Sequence, residues 1–169
     1  MEILAIILLV PLGGITIIAL LGAVNLLLPN PVAKTYANLE ETPGRSLLLG
    51  LVNFIFFGLL VVVFVWLAEQ SGGFGRGVFT LIVGVILLGV SIFALLGLSA
   101  FAKLLGERIG NAKTPFASDL RGGALLLLAA LSPYVGWFLF LPLVLWAGFG
   151  AAISALVRRK PKGLPAEES

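Results

Sequence analysis

Few residues in this chain can do chemistry. Its 169 residues include no His and no Cys. That removes the commonest general base and the thiolate nucleophile. It also removes disulfides, the usual zinc ligands, thiolate clusters and His-ligated haem. The polar side chains that remain in or beside apolar stretches are Asn25, Asn53, Glu69, Glu107, Arg108, Asp119 and Arg121. Asn25 and Asn53 are the deepest. They could line a polar pocket. The plainer reading is that they bond to each other or to backbone and lock two helices, for about 0.6–2 kcal/mol. An acid inside a span would suggest an ion path. Glu69, however, is followed by Gln70, Ser71 and two glycines, which suits a hydrated helix end. Asp119 and Arg121 can pair at an interface, but a proton relay needs more members. The run Gly72–Gly77 lacks the Gly-Lys-Ser/Thr of a phosphate loop. No catalytic, cofactor-binding or metal-binding residue is expected, and the chain reads as a non-enzyme.

Composition explains the scarcity. The chain is 60% hydrophobic and 11% charged, where a soluble domain carries about 25% charged residues. Mean hydropathy is +1.15. The small net charge of +3 is a topology signal. Basic residues interleaved with base-stacking aromatics are absent, so no nucleic-acid partner is expected.

The expected fold class is an all-α integral membrane protein, a compact bundle of five hydrophobic helices. They fall at about 3–28, 44–68, 77–101, 115–132 and 137–157. Residues 1–160 form one polytopic domain, and 161–169 a mobile polar tail. Glu2 is the only charge before the first span, which does not suit a cleaved signal peptide. Pro11 and Gly13-Gly14 should kink that span. Asn30-Pro31 fits a helix cap followed by a first-turn proline. Pro31–Leu39 then reads as a short interfacial helix or a polar loop. As a helix it would turn Val32, Ala33, Tyr36 and Ala37 to lipid and Lys34 to water. Ala102–Lys113 also suits an interfacial segment. Thr114–Val157 holds the last two spans, about 20 residues each, broken at Ser132–Trp137. There Pro133 removes a helix donor and Gly136 can turn.

Thr42-Pro43 and Thr114-Pro115 both open a span after a linker and precede a basic residue and a Leu run. This raises a possible parallel two-plus-two repeat with one added helix. Orientation follows Lys and Arg placement. Five spans put ten of the 11 Lys and Arg on one side, whereas the four-span alternative divides them about evenly. Five spans are therefore favoured, with the N-terminus outside and the C-terminus in the cytoplasm. Trp66, Tyr134 and Trp137 then serve as interface aromatics at the outer ends. A shallow final hairpin that stops short of the outer face is the alternative.

Two further surfaces stand out. Ala147, Gly148, Ala151, Ala152 and Ala155 give the last helix a small-residue face, for packing within the chain or against a partner. Arg158, Arg159, Lys160 and Lys162 are placed to meet anionic headgroups, each for roughly 1 kcal/mol.

The segments Pro43–Leu51, Phe101–Gly110, Pro133–Trp137 and Gly148–Ala152 together resemble a prokaryotic integral-membrane module. That module is found alone or attached to bactofilin-like, polymer-forming proteins. The turn Ser71–Gly75 is longer and more polar than the family's, and this chain carries no β-helix. The resemblance implies membrane topology and a scaffold role, with no catalytic residue. The functional expectation is an anchor, scaffold or accessory subunit in a prokaryotic cytoplasmic membrane. Its partners would be the lipid bilayer and other membrane subunits or a polymer-forming cytoskeletal protein. A small channel or transporter component is the alternative, and no cofactor is expected.

Overall fold

The computed structural model of the protein describes residues 2–109, 114–132 and 134–157. Six α-helices follow in chain order: α1 Glu2–Leu27, α2 Pro29–Glu41, α3 Pro43–Gln70, α4 Gly73–Arg108, α5 Pro115–Leu131 and α6 Leu141–Val157. A π-helical turn, Gly136–Phe140, leads into α6. The chain is an all-α integral membrane protein. Three helical stretches are long and apolar enough to cross a bilayer: α3, α4 and Gly136–Val157. A fourth passage is offered by α1, 26 residues long, which bends by 103° where it joins α2. At 17 residues, α5 sits at the lower limit for a span.

Small residues set the packing. Gly50 and Ser46 of α3 lie on the backbone of Trp146 and Gly150 of α6. Gly97 of α4 lies on Gly148 of α6. Ala102 and Gly106 of α4 lie on Gly122 and Ser118 of α5. A Cβ at Gly148 would come within 2.8 Å of the Gly97 Cα, closer than real Cβ contacts allow. Only small residues let two backbones approach so far. Phe149 then fills the space above the crossing, edge-on to Phe57 and Phe93. As a result 39% of the most apolar window of Gly136–Val157 is buried, against 6% in α3 and 11% in α4. The last helix is the centre of the bundle, and α3 and α4 face the lipid.

These crossings fix the register. α3 and α4 form a hairpin, with Phe64 against Phe79 near its turn. α6 runs back along α3, and α5 runs back along α4. The start of α3, the end of α4, the start of α5 and the end of α6 therefore share one end of the bundle. Arg45, Lys103, Arg108 and Arg121 lie there, and we call it the basic end. The α5–α6 hairpin enters and leaves at that end. Its tip does not reach the α3–α4 turn. From Gly148 the chain runs ~18 Å back to Gly136, whereas α4 runs ~36 Å from Gly97 back to Gly73, at ~1.5 Å per residue. Beyond Gly136, α3 and α4 extend ~18 Å further along their axes.

Three sequence expectations change. The segment after residue 101 is not a separate linker, because α4 continues unbroken to Arg108. Its Ala102 and Gly106 are held against α5, and that contact extends the helix. Residues 29–41 are helical, but α2 does not turn Val32 to lipid. Val32, Thr35, Asn38 and Leu39 are buried against α4 and α6. Their i, i+3, i+6, i+7 spacing gives one stripe, and the small side chains of α6 leave room for it. The expected cap at Asn30 is not made, because the helix already begins at Pro29. Thr114 does cap α5, accepting from the Ala117 N–H at 3.3 Å. Thr42 instead donates to the Asn38 carbonyl at 3.3 Å. Both Thr-Pro pairs open helices at the basic end. The packing is not repeated, since α4 and α5 lie along each other and α1 and α3 do not.

Gly97→Val or Gly150→Val should lower stability by about 1–3 kcal/mol or more, because the obstructing atoms are backbone. Gly58→Val and Gly84→Val, where a Cβ would meet nothing within 4 Å, should change little. Denaturation in detergent, followed by circular dichroism, measures both pairs.

Candidate functional site

The basic end carries the polar chemistry of the described residues. It is built around α2. The Asn38 side chain is 7% exposed and donates from Nδ2 to the Ala151 carbonyl at 3.3 Å. Its own carbonyl accepts from the Thr42 N–H at 3.1 Å and the Ser46 hydroxyl at 3.3 Å. One residue thus joins α2, α3 and α6. Thr35 is buried beside it and donates to the Pro31 carbonyl of its own helix at 2.9 Å.

On the other side of α2, Tyr36 reaches α4. The Lys103 ammonium sits 5.5 Å from the Tyr36 ring centroid, within cation–π range. The Tyr36 hydroxyl donates toward the Glu107 carboxylate. That bond pushes its ionisation up to about 12, helped by burial and by the charges of Glu107 and Glu40. Next to this pair is a pocket of about 210 Å³ between α1, α2, α4 and α5. Asn25, Lys103 and Asp119 supply its polar wall, and Leu26, Val32 and Phe116 its apolar wall. Asn25 Nδ2 is buried there beside the Asp119 carboxylate, without closing a hydrogen bond to it.

Asn25 and Asn53 do not meet. Asn53 donates to the Leu49 carbonyl of its own helix at 2.7 Å. The two were expected to bond to each other or to backbone; Asn53 takes the backbone, and they lock no helix pair because α1 packs on α5 and α4 rather than on α3. Ala147, Gly148, Ala151 and Ala152 are buried inside the chain, and Ala155 is partly buried. Their face is filled by α2, α3 and α4. Trp66 is 58% exposed near the α3–α4 turn. Tyr134 and Trp137, 80% and 65% exposed, lie at the hairpin tip. They were expected at the same level as that turn, and the register sets them below it. Arg158, Arg159, Lys160, Lys162 and the tail 161–169 lie outside the described residues.

Asn38, Ser46 and Thr35 were missed as organising residues. A signal for Ser46 was present, because Ser46 and Gly50 form a small-xxx-small pair. Asn38 sits in the polar run Asn38–Glu41, and nothing in that run distinguishes a buried Asn from a solvated one.

The chain matches no family model, no curated protein and no solved structure.

The Tyr36–Glu107 contact has a direct readout. With Tyr134→Phe in place, Tyr36 is the one tyrosine left. Its near-ultraviolet titration should show a midpoint near 12. Glu107→Gln should bring that midpoint down toward the ordinary ~10. The raised value favours the protonated folded form. The contact therefore stabilises fully below about pH 10 and is lost as pH rises through about 12.

Proposed function

We propose that the protein is a non-catalytic accessory or scaffold subunit of a larger membrane assembly. One observation carries this reading: on the lipid-facing helices α3 and α4, Gly58 and Gly84 stand open where a second backbone could approach closely. Val62, Trp66, Leu81 and Val85 are 58–67% exposed on these helices. Val135, Trp137 and Phe138 are 61–81% exposed on the α5–α6 tip. Gly58 and Gly84 have nothing within 4 Å of an added Cβ. Small open positions beside aromatic ones suit a second helix at close range. The face first considered for a partner, on α6, is already occupied within the chain.

The partner that fits is a transmembrane helix of another subunit, because open glycines on an apolar helix let a second backbone come close. By the positive-inside rule the basic end faces the cytoplasm of a prokaryotic cell. A polymer-forming cytoskeletal protein would engage the protein there. A transport role would need free polar groups through the middle of the bundle. Among the described residues Asn53, Thr80 and Ser91 bond within their own helices instead, and Ser99 Oγ is the one buried hydroxyl there without a partner.

Purification at native expression level in mild detergent, followed by mass determination, should give a particle heavier than one chain of 17.8 kDa with its detergent. Gly58→Trp and Gly84→Trp should release the extra mass while leaving the melting temperature of the bundle unchanged. A wild-type protein that runs as a lone chain contradicts the proposal.

A further inference from the structure

The pocket at the basic end holds opposite charges that do not touch. Lys103 and Asp119 line the same space, yet no ion pair joins them among the described residues. The Lys103 ammonium rests instead over the Tyr36 ring. Asn25 Nδ2 adds a buried donor that leans on the Asp119 carboxylate without closing a hydrogen bond to it. On the lipid side, Phe116 and Leu26 are 49% and 68% exposed. At about 210 Å³ the space exceeds what one ion needs, since a water in the liquid takes ~30 Å³.

We propose that this pocket binds the headgroup of a zwitterionic, primary-ammonium phospholipid of the phosphatidylethanolamine class. The phosphate oxygens accept from Lys103 Nζ and from Asn25 Nδ2. The headgroup ammonium donates to the Asp119 carboxylate, with Glu107 contributing further negative charge. An ammonium has three donors to place, which a trimethylated choline headgroup lacks. An anionic headgroup would satisfy Lys103 and meet Asp119 with like charge. The acyl chains leave the pocket past Phe116 and Leu26 into the bilayer. One ligand thus fills the gap between two charges that the fold holds apart. The inference is independent of the proposed partner helix, which uses the opposite end of the bundle.

The test is native mass spectrometry of the delipidated full chain, titrated separately with three dioleoyl phospholipids. Phosphatidylethanolamine should bind about tenfold more tightly than phosphatidylcholine or phosphatidylglycerol. Lys103→Gln, Asp119→Asn and Asn25→Leu should each remove that preference. Lys103→Arg keeps the cation and should retain it, which separates lost charge from lost folding. Lys34→Gln, on the exposed face of α2, should have no effect. Equal binding of the three lipids would overturn the proposal. So would a preference that survives both Lys103→Gln and Asp119→Asn. Free phosphoethanolamine is the final arm. If it occupies the site as tightly as the diacyl lipid, the ligand is a soluble zwitterion and the lipid assignment fails.

Discussion

The structure depends on backbone meeting backbone at α6. In a bilayer, apolar side chains gain nothing by leaving lipid for another helix, so close packing and hydrogen bonds must hold the bundle together. Gly50 on Trp146, Ser46 on Gly150 and Gly97 on Gly148 bring α3 and α4 onto α6 at a distance no larger residue allows. α5 meets α4 in the same way through Gly122 and Ser118. These contacts place four helix ends at one level. They also set how far the α5–α6 hairpin can reach, because a register locked at Gly148 leaves only a dozen or so residues of α6 side beyond it.

α2 follows from that arrangement. The alanines of α6 leave a shallow seam between α4 and α6, and Val32 and Leu39 fill it. Asn38 satisfies backbone and hydroxyl groups from α3 and α6 at the seam's edge. A polar side chain in such a place costs free energy unless it is bonded. Here its bonds tie α2 to both α3 and α6. The 103° turn from α1 into α2 then brings Tyr36 over Lys103. It opens the pocket whose walls carry Asn25 and Asp119.

Much of this was legible in the residues. The long apolar runs mark the helices. Thr-Pro marks two helix starts, and the Pro133–Gly136 break marks the hairpin. The lysines and arginines mark one end. The reach of the hairpin was not legible, because hydropathy counts apolar residues and says nothing about where Gly148 meets its neighbour. The direction of α2 was not legible either. Val32, Ala33 and Tyr36 look lipid-facing on an isolated amphipathic helix, and the seam that receives Val32 is made by residues more than a hundred positions away. Asn25 and Asn53 looked equivalent in sequence. One bonds within its helix and the other faces a pocket, a difference decided by which helices sit beside α1. Three small-xxx-small pairs, Ser46/Gly50, Ala102/Gly106 and Ser118/Gly122, were readable as crossings, although their pairing was not.

The central claim is that α5 and α6 enter and leave the membrane at the basic end without reaching the level of the α3–α4 turn. The chain has no cysteine, so single cysteines can be placed at Arg45, Gly72 and Tyr134 and labelled in sealed vesicles. With a membrane-impermeant thiol reagent, Arg45→Cys should react from one side and Gly72→Cys from the other. Tyr134→Cys should react from neither side, yet be modified by an apolar, membrane-permeant reagent. If Tyr134→Cys reacts with the impermeant reagent from the Gly72 side as readily as Gly72→Cys, the hairpin spans the bilayer and the account is wrong.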